Sequence, residues 1–392
     1  MLEPVSTLSS PSSPVLARYT LPVHEAVERW LKSDNWLWKV VLAGLLCPLF
    51  FLPTHSGLWN LPTEYWAAFQ TKYYFWDTIE DQIIHPLRPI ICYDKNPGCH
   101  EDKMVFRLFL PGLYALVGSR EAVYAVQLLC WPAFLYLLAR EAYRLTGSKT
   151  VALYLTLSIM GLYIGGAFPF DFVTCGDAFA YFLLLLAAVT RNRLALVISL
   201  FLAYWVDERS LVNSVYVLVY RCLVIAGERP LFSRSNVLTM ATVGVTWMAY
   251  AGLRFWLKAR FNVPDATEGA GFSFLLTVPV ATSLLKIGRS YELLWLLVAV
   301  GLWSLWQQRQ LLLLAATLGA LAVSTAVAIM VADTSRSLGY GLILFLIVLS
   351  PALTALRLAR LKDLLLATAI VCVLFQTRFL LQFRPEIMYL FE

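Results

Sequence analysis

The chain has 392 residues, 59% of them apolar and only 14% charged, with a mean hydropathy of +0.68 and a net charge of +6. A soluble domain carries roughly 25% charged residues, so a water-soluble globule is excluded, and 20 Gly, 18 Pro and 7 Cys exclude collagen-like, disordered and disulfide-scaffold classes as well. What remains is a polytopic membrane protein, whose Lys and Arg flank apolar runs rather than forming a nucleic-acid-binding patch.

Met1 to Pro14 is rich in Ser and Pro and reads as a disordered tail. Leu21 to Leu31 reads as a short amphipathic helix with Glu25 and Glu28 on its wet side. No basic segment leads directly into an apolar core and a small-residue cleavage site, so the first apolar run is a retained span rather than a secretory signal. Residues 1–35 are then a cytoplasmic tail, and 36–392 a single transmembrane domain.

The spans expected are 36–52, 122–139, 150–167, 175–189, 194–206, 211–225, 236–256, 291–306, 311–332, 338–356 and 364–383. The fold class is therefore all-α, a transmembrane bundle of about eleven spans, several of them shorter than the ~20 residues a bilayer core asks for. Met104 to Val117 is apolar but interrupted by Arg107, Pro111 and Gly112, and is placed along the interface rather than across it.

Charge supports that placement. With the N-terminus inside, the basic groups Arg18/Arg29/Lys32, Arg140/Arg144/Lys149, Arg191/Arg193, Arg221/Arg229/Arg234, Arg309 and Arg357/Arg360/Lys362 all fall inside, as the positive-inside rule asks of short loops. The unusual polar residues then gather outside. The long first outer loop, 53–121, carries Asp77, Glu80, Asp81, His85, Cys92 and Cys99. Later outer turns carry Asp171 and Asp177, then Asp207-Glu208-Arg209, then the stretch 257–290 with Lys286, then Asp333 and Arg336. Ionisable residues at a membrane boundary are costly and point to function, and their shared face suggests a polar cavity open to the outside.

The densest chemistry is Trp76-Asp77-Thr78-Ile79-Glu80-Asp81, which ends at His85-Pro86-Leu87. Helical spacing puts two of these carboxylates on one face. Such a pair activates a hydroxyl or holds a divalent cation, Mg or Mn, through Glu80 and Asp81; an ordinary acidic face on a wet helix is the plainer explanation. His85 precedes Pro86 and so ends the helix, and has no second ligand at metal-binding spacing. Asp177 opens a span, where a carboxylate is also a good helix cap, whereas Asp171 has no capping role. Asp207 and Arg209 form either an internally paired turn or, with Asp333 and Arg336, part of a phosphate-binding set, since an Arg fork suits phosphate. Cys92 and Cys99 are either a disulfide of an oxidising compartment or two free thiols. No P-loop, GxGxxG, GxSxG, HExxH or CxxC is present.

The order of these features resembles the GT-C superfamily of membrane glycosyltransferases. The residues that carry the likeness are the acidic run Asp77 to Asp81, His85-Pro86-Leu87, the interfacial Leu108 to Gly118, the turn Leu138-Ala139-Arg140-Glu141 through Gly147, Asp177 in Thr174-Cys175-Gly176-Asp177, Ser335-Arg336-Ser337, Ser350-Pro351, and Arg357 to Lys362. The chain departs from the family pattern where Glu80-Asp81 stands in reversed order, where Leu87 replaces a second Pro and where Ser337 replaces a Tyr. The likeness implies a sugar donor carried on polyprenyl phosphate, and a helical bundle with its cavity on the outer face of a bacterial inner membrane or its equivalent. Asp77, Glu80 and Asp81 would be the catalytic carboxylates. His85, Asp171, Asp177, Asp207, Arg209, Asp333 and Arg336 would bind substrate. The competing classes are a transporter, a non-catalytic assembly subunit and a polysaccharide polymerase or ligase. A transporter usually carries internal repeats and mid-span charges, and neither is evident in this chain.

Overall fold

The computed structural model describes residues 14–51, 74–87, 105–170, 176–227, 230–263, 280–331, 333–375, 377–380 and 385–387. Among them the chain is helical apart from one small hairpin. The helices are α1 (Pro14–Trp30), α2 (Trp36–Phe51), α3 (Tyr74–Ile84), α4 (Phe109–Val117), α5 (Arg120–Thr146), α6 (Lys149–Met160), α7 (Tyr163–Phe170), α8 (Asp177–Val189), α9 (Arg193–Val206), α10 (Arg209–Val219), α11 (Arg234–Phe261), α12 (Val280–Tyr291), α13 (Leu294–Gln307), α14 (Leu311–Ile329), α15 (Thr334–Gly339) and α16 (Ile343–Leu374). Strands β1 (Thr377–Leu380) and β2 (Pro385–Ile387) pair antiparallel.

Three helices, α5, α14 and α16, are long and apolar enough to cross a membrane, and α2, α8, α9 and α13 are shorter apolar helices. Large apolar side chains also face outward along them: Leu129 on α5, Met248, Phe255 and Trp256 on α11, Trp303 and Trp306 on α13, and Leu318 and Val323 on α14 are all exposed. Water does not tolerate so much contiguous apolar surface, and a bilayer does. The apolar runs of the sequence thus become the helices of a membrane-type bundle.

Boundaries differ from expectation in three places. The run expected as one span over 150–167 is bent by 74° between α6 and α7. At the bend a Cβ on Gly161 would lie 2.2 Å from the Cys372 carbonyl oxygen, so α16 can approach this closely only because residue 161 is glycine. The spans expected at 338–356 and 364–383 form one helical run, α16, broken at Arg357, whose φ of 60° and ψ of 163° are not helical. That run also stops at Leu374 rather than continuing to 383. The alternating Thr377-Arg378-Phe379-Leu380 that follows pairs as a strand instead.

The segment expected to lie along the interface forms a short helix. α4 has nine residues, roughly 14 Å of helix, far short of a bilayer core. It packs between α3 and α5 and also touches α9. Helix α10 runs straight into a π-helical turn, Tyr220–Ile225. Together they join one end of the bundle, at Asp207, to the other, at Arg221, over roughly 20 Å.

Candidate functional site

Four turns bring charged side chains to one end of the bundle, and local sequence explains why each is placed there. Gly176 takes a left-handed φ of +74° and supplies the N-terminal cap of α8, where a Cβ would lie 2.9 Å from Leu110. This turn delivers Asp177 into the interior at the first helical position. The cap is therefore the glycine, and the Asp177 carboxylate makes no capping bond, contrary to the helix-capping role its position suggests. Asp207 ends α9, and its Oδ1 accepts from the Arg209 backbone N at 2.9 Å, a side-chain turn that starts α10. Arg107 immediately precedes α4, and Arg336 sits in the short α15.

These groups form one buried ion network. Arg336 donates to both oxygens of Asp177, from Nε at 2.6 Å and from Nη2 at 3.1 Å, and its Nη1 donates to Asp333 at 2.9 Å. Arg209 grips Asp207 through Nε at 2.8 Å and Nη2 at 2.6 Å, and its Nη1 donates to the Ser337 hydroxyl at 2.9 Å. Arg107 reaches the same Asp207 at 2.9 Å, and Arg336 Nη2 lies 3.8 Å from it. Tyr340 and Tyr163 each donate to Asp177, at 2.6 Å and 2.8 Å. Asp177 and Asp207 are 0% exposed and Arg336 is 1% exposed.

Burial alone would raise the Asp207 carboxyl, but Arg107 and Arg209 overcome it and hold Asp207 well below the usual carboxylate range. Asp207 is thus a poor proton acceptor, and the saturated hydrogen bonding of Asp177 leaves it no vacant lone pair for one either. Their work is to fix the guanidiniums. In a low-dielectric interior, charges held this way cannot reorganise cheaply.

Beside the network lies a lysine that the sequence reading placed in an outer stretch and gave no role. Lys286, in the last turns of α12, is 0% exposed, and its Nζ has no hydrogen-bond partner among the described residues. Burial pushes it down to about 8, with Asp333 pulling the other way. Ser283 Oγ, one turn earlier, and Thr334 Oγ1, on the helix packed against α12, are likewise buried without partners among the described residues. Arg107 Nη1 also has no partner among the described residues, while its Nε lies 3.9 Å from the Glu208 carboxylate. Buried donors normally find acceptors, and here several unsatisfied ones border the same network.

The acidic helix α3 joins this region through α4. Asp77 lies in its first turn. Glu80 is half-buried; its Oε1 accepts from Arg120 Nε at 2.8 Å and from Tyr114 OH at 3.1 Å. Asp81 is half-buried, with no ion pair among the described residues. A cation on Glu80 and Asp81 would compete with Arg120 for Glu80. No group of three or more His, Cys, Asp or Glu side chains suited to a metal occurs among the described residues. The helix stops at Ile84, and His85 is exposed just before Pro86. Asp171, Cys92 and Cys99 lie outside the described residues.

Of the expected substrate-binding set, Asp177, Asp207, Arg209, Asp333 and Arg336 thus meet in one cluster, while His85 is exposed just past the end of α3. Arg209 and Arg336, expected to face phosphate directly, spend most of their donors on the aspartates. Arg107, Lys286, Tyr163 and Tyr340 belong to the cluster and were not foreseen as site residues. The one visible signal was the break that Arg107 makes in an apolar stretch. Set against protein-family models, characterised proteins and solved structures, the chain finds no match in any of the three comparisons.

Proposed function

We propose that the protein is a polytopic membrane glycosyltransferase with about eleven spans, similar in plan to the GT-C superfamily, that moves a sugar from a polyprenyl-phosphate donor to an acceptor on the outer face. Its N-terminus is cytoplasmic and its membrane is a bacterial inner membrane or an equivalent one. The observation that carries this reading is the set of buried donors on Lys286, Ser283, Thr334 and Arg107 Nη1, without partners among the described residues, beside the Asp177–Arg336–Asp207 network. A phosphate supplies the acceptor oxygens and the negative charge that such a set calls for.

In this mechanism Asp77 is the general base. It takes the proton of the acceptor hydroxyl, whose oxygen attacks the anomeric carbon. The bond from that carbon to the phosphate oxygen breaks, and the electron pair leaves with polyprenyl phosphate. Lys286 and Arg107 neutralise the leaving charge, and Arg336 and Arg209, locked by their aspartates, hold the field in place. Attack opposite the leaving group inverts the anomeric centre. Glu80 and Asp81 stand one turn further along α3 as alternative bases or as ligands of a divalent cation.

A second reading has its own support. Asp177 is satisfied by Arg336, Tyr163 and Tyr340, which suits a structural cross-link in a non-catalytic membrane subunit. The two are separated by reconstituting the wild-type protein in liposomes with a panel of polyprenyl-phosphate hexoses and an acceptor extract, and measuring release of polyprenyl phosphate. Release that depends on the acceptor is expected. Folded protein that leaves every donor intact would transfer the case to the subunit reading.

A further inference from the structure

The opposite end of the bundle holds a second polar concavity that the transfer chemistry does not use. A cavity of about 780 Å³ opens between α5, the end of α8, the π-helical turn and the start of α11. Four guanidiniums line it: Arg140, Arg144, Arg191 and Arg221. One carboxylate, Glu141, lines it with them.

The charges there do not cancel. Glu141 is buried and accepts from Arg144 Nε at 3.0 Å and Nη2 at 2.8 Å, and from the Tyr220 hydroxyl. It is thereby committed to Arg144. Arg221 Nη1 donates to the neutral carbonyls of Ala187, at 3.0 Å, and Thr190, which end α8, while its Nε is buried with no partner among the described residues. Arg140 is exposed and rests near the Tyr136 ring at 6.0 Å. Arg191 is exposed, and neither of these two has an ion pair among the described residues. Three positive charges therefore face the cavity without compensation.

Two further features shape it. The wall is not polar throughout: Leu137, Leu186, Val189 and Ile225 share the lining, and Ile225 is 42% exposed. Arg221 and Ile225 both belong to the π-helical turn, a rare geometry that tends to mark functional positions. Here it widens the helix where the arginine enters the cavity.

We propose that this cavity binds the phosphate-bearing headgroup of an anionic membrane lipid. Guanidinium forks match phosphate oxygens in geometry as well as charge. A soluble anion would gain nothing from the leucine, valine and isoleucine beside them, whereas the first carbons of a lipid's chains would. Basic pockets between membrane helices bind anionic headgroups in this way. The site is independent of the transferase reading and stands or falls separately from it.

The test uses the full chain in nanodiscs of phosphatidylcholine with or without phosphatidylglycerol, then native mass spectrometry to count retained lipid. The wild type retains phosphatidylglycerol in preference to phosphatidylcholine. Arg140→Gln with Arg191→Gln lowers that retention roughly thirtyfold, from the attraction each basic residue contributes near a membrane surface. Arg140→Lys with Arg191→Lys keeps most of it. Equal retention by the wild type and the double Gln variant overturns the proposal. So does release of the bound lipid by inorganic phosphate, which would assign the site to a soluble phosphate.

Discussion

The two ends of the bundle both concentrate arginine, and they treat it in opposite ways. At the Asp177 end, Arg107, Arg209 and Arg336 are buried and face Asp177, Asp207 and Asp333. At the Arg221 end, Arg140, Arg144, Arg191 and Arg221 line an open cavity with one carboxylate, Glu141, which pairs with Arg144. The first holds most of its charge in ion pairs inside the protein; the second presents charge to whatever enters. A count of basic residues would rate the ends alike, and the difference lies in which charges are matched at contact distance. It teaches that a buried arginine is available to a ligand only to the extent that its partners leave donors over.

The comparison can be broken first at the matched end, where the largest effects are expected. Asp177→Asn leaves Arg336 buried against a neutral amide and should cost about 3–5 kcal/mol, read as thermal unfolding in detergent micelles. Replacing both partners, Asp177→Leu with Arg336→Leu, should recover much of the loss, since a matched apolar pair leaves no orphan charge. A single variant that melts with the wild type would mean that the network carries no load. Acid should erode the same end. Because the Asp207 carboxyl is held low, its contribution is complete above the unfolded value of about 3.9 and fades as the pH falls through its folded value.

Gly176→Ala tests how the network is delivered. The added Cβ meets Leu110 at 2.9 Å and cannot easily hold a φ of +74°, so a cost of about 1–3 kcal/mol is expected. Wild-type stability in that variant would show that α4 yields freely.

Lys286 sharpens the comparison, because it is the unmatched cation at the matched end. Its folded value near 8 lies below the unfolded lysine's, near 10.4, so the unfolded chain binds more protons between them. Wild-type stability should therefore rise with pH across that window relative to Lys286→Met, which should be the more stable protein at pH 7. Parallel pH profiles for the two would place an anion or another partner on the lysine already. Smaller still is Glu80→Gln, at roughly 1 kcal/mol or less for a partly exposed pair. A loss comparable to that of Asp177→Asn would move the structural centre of gravity to α3.

Much of the bundle was legible in the sequence because apolar runs bounded by basic clusters leave little choice of element. The shortness of α4 was legible too, through Arg107, Pro111 and Gly112, which interrupt its apolar stretch. The breaks were not. A 74° bend after Met160 depends on where α16 passes Gly161, a contact between distant segments. The candidate site was legible in some of its charged members and not in its wiring. Asp177 and Arg336 both stood out as boundary charges, but they are 159 residues apart, and nothing local states that one will neutralise the other. Tyr163 and Tyr340 were hidden among apolar neighbours, and Lys286 in a stretch of ordinary polarity. A side chain's type announces that it is expensive to bury, and only the fold decides who offsets the expense.

The central claim, a transferase that removes a sugar from a lipid phosphate, is tested most directly by turnover of one polyprenyl-phosphate sugar by three proteins: wild type, Asp77→Asn and Lys286→Met. General-base catalysis predicts that Asp77→Asn lowers kcat by about 100-fold with little change in KM for the donor. Loss of a phosphate contact predicts that Lys286→Met raises that KM while the variant remains folded. Wild-type kinetics in both variants would contradict the account and return the charged network to a purely structural role.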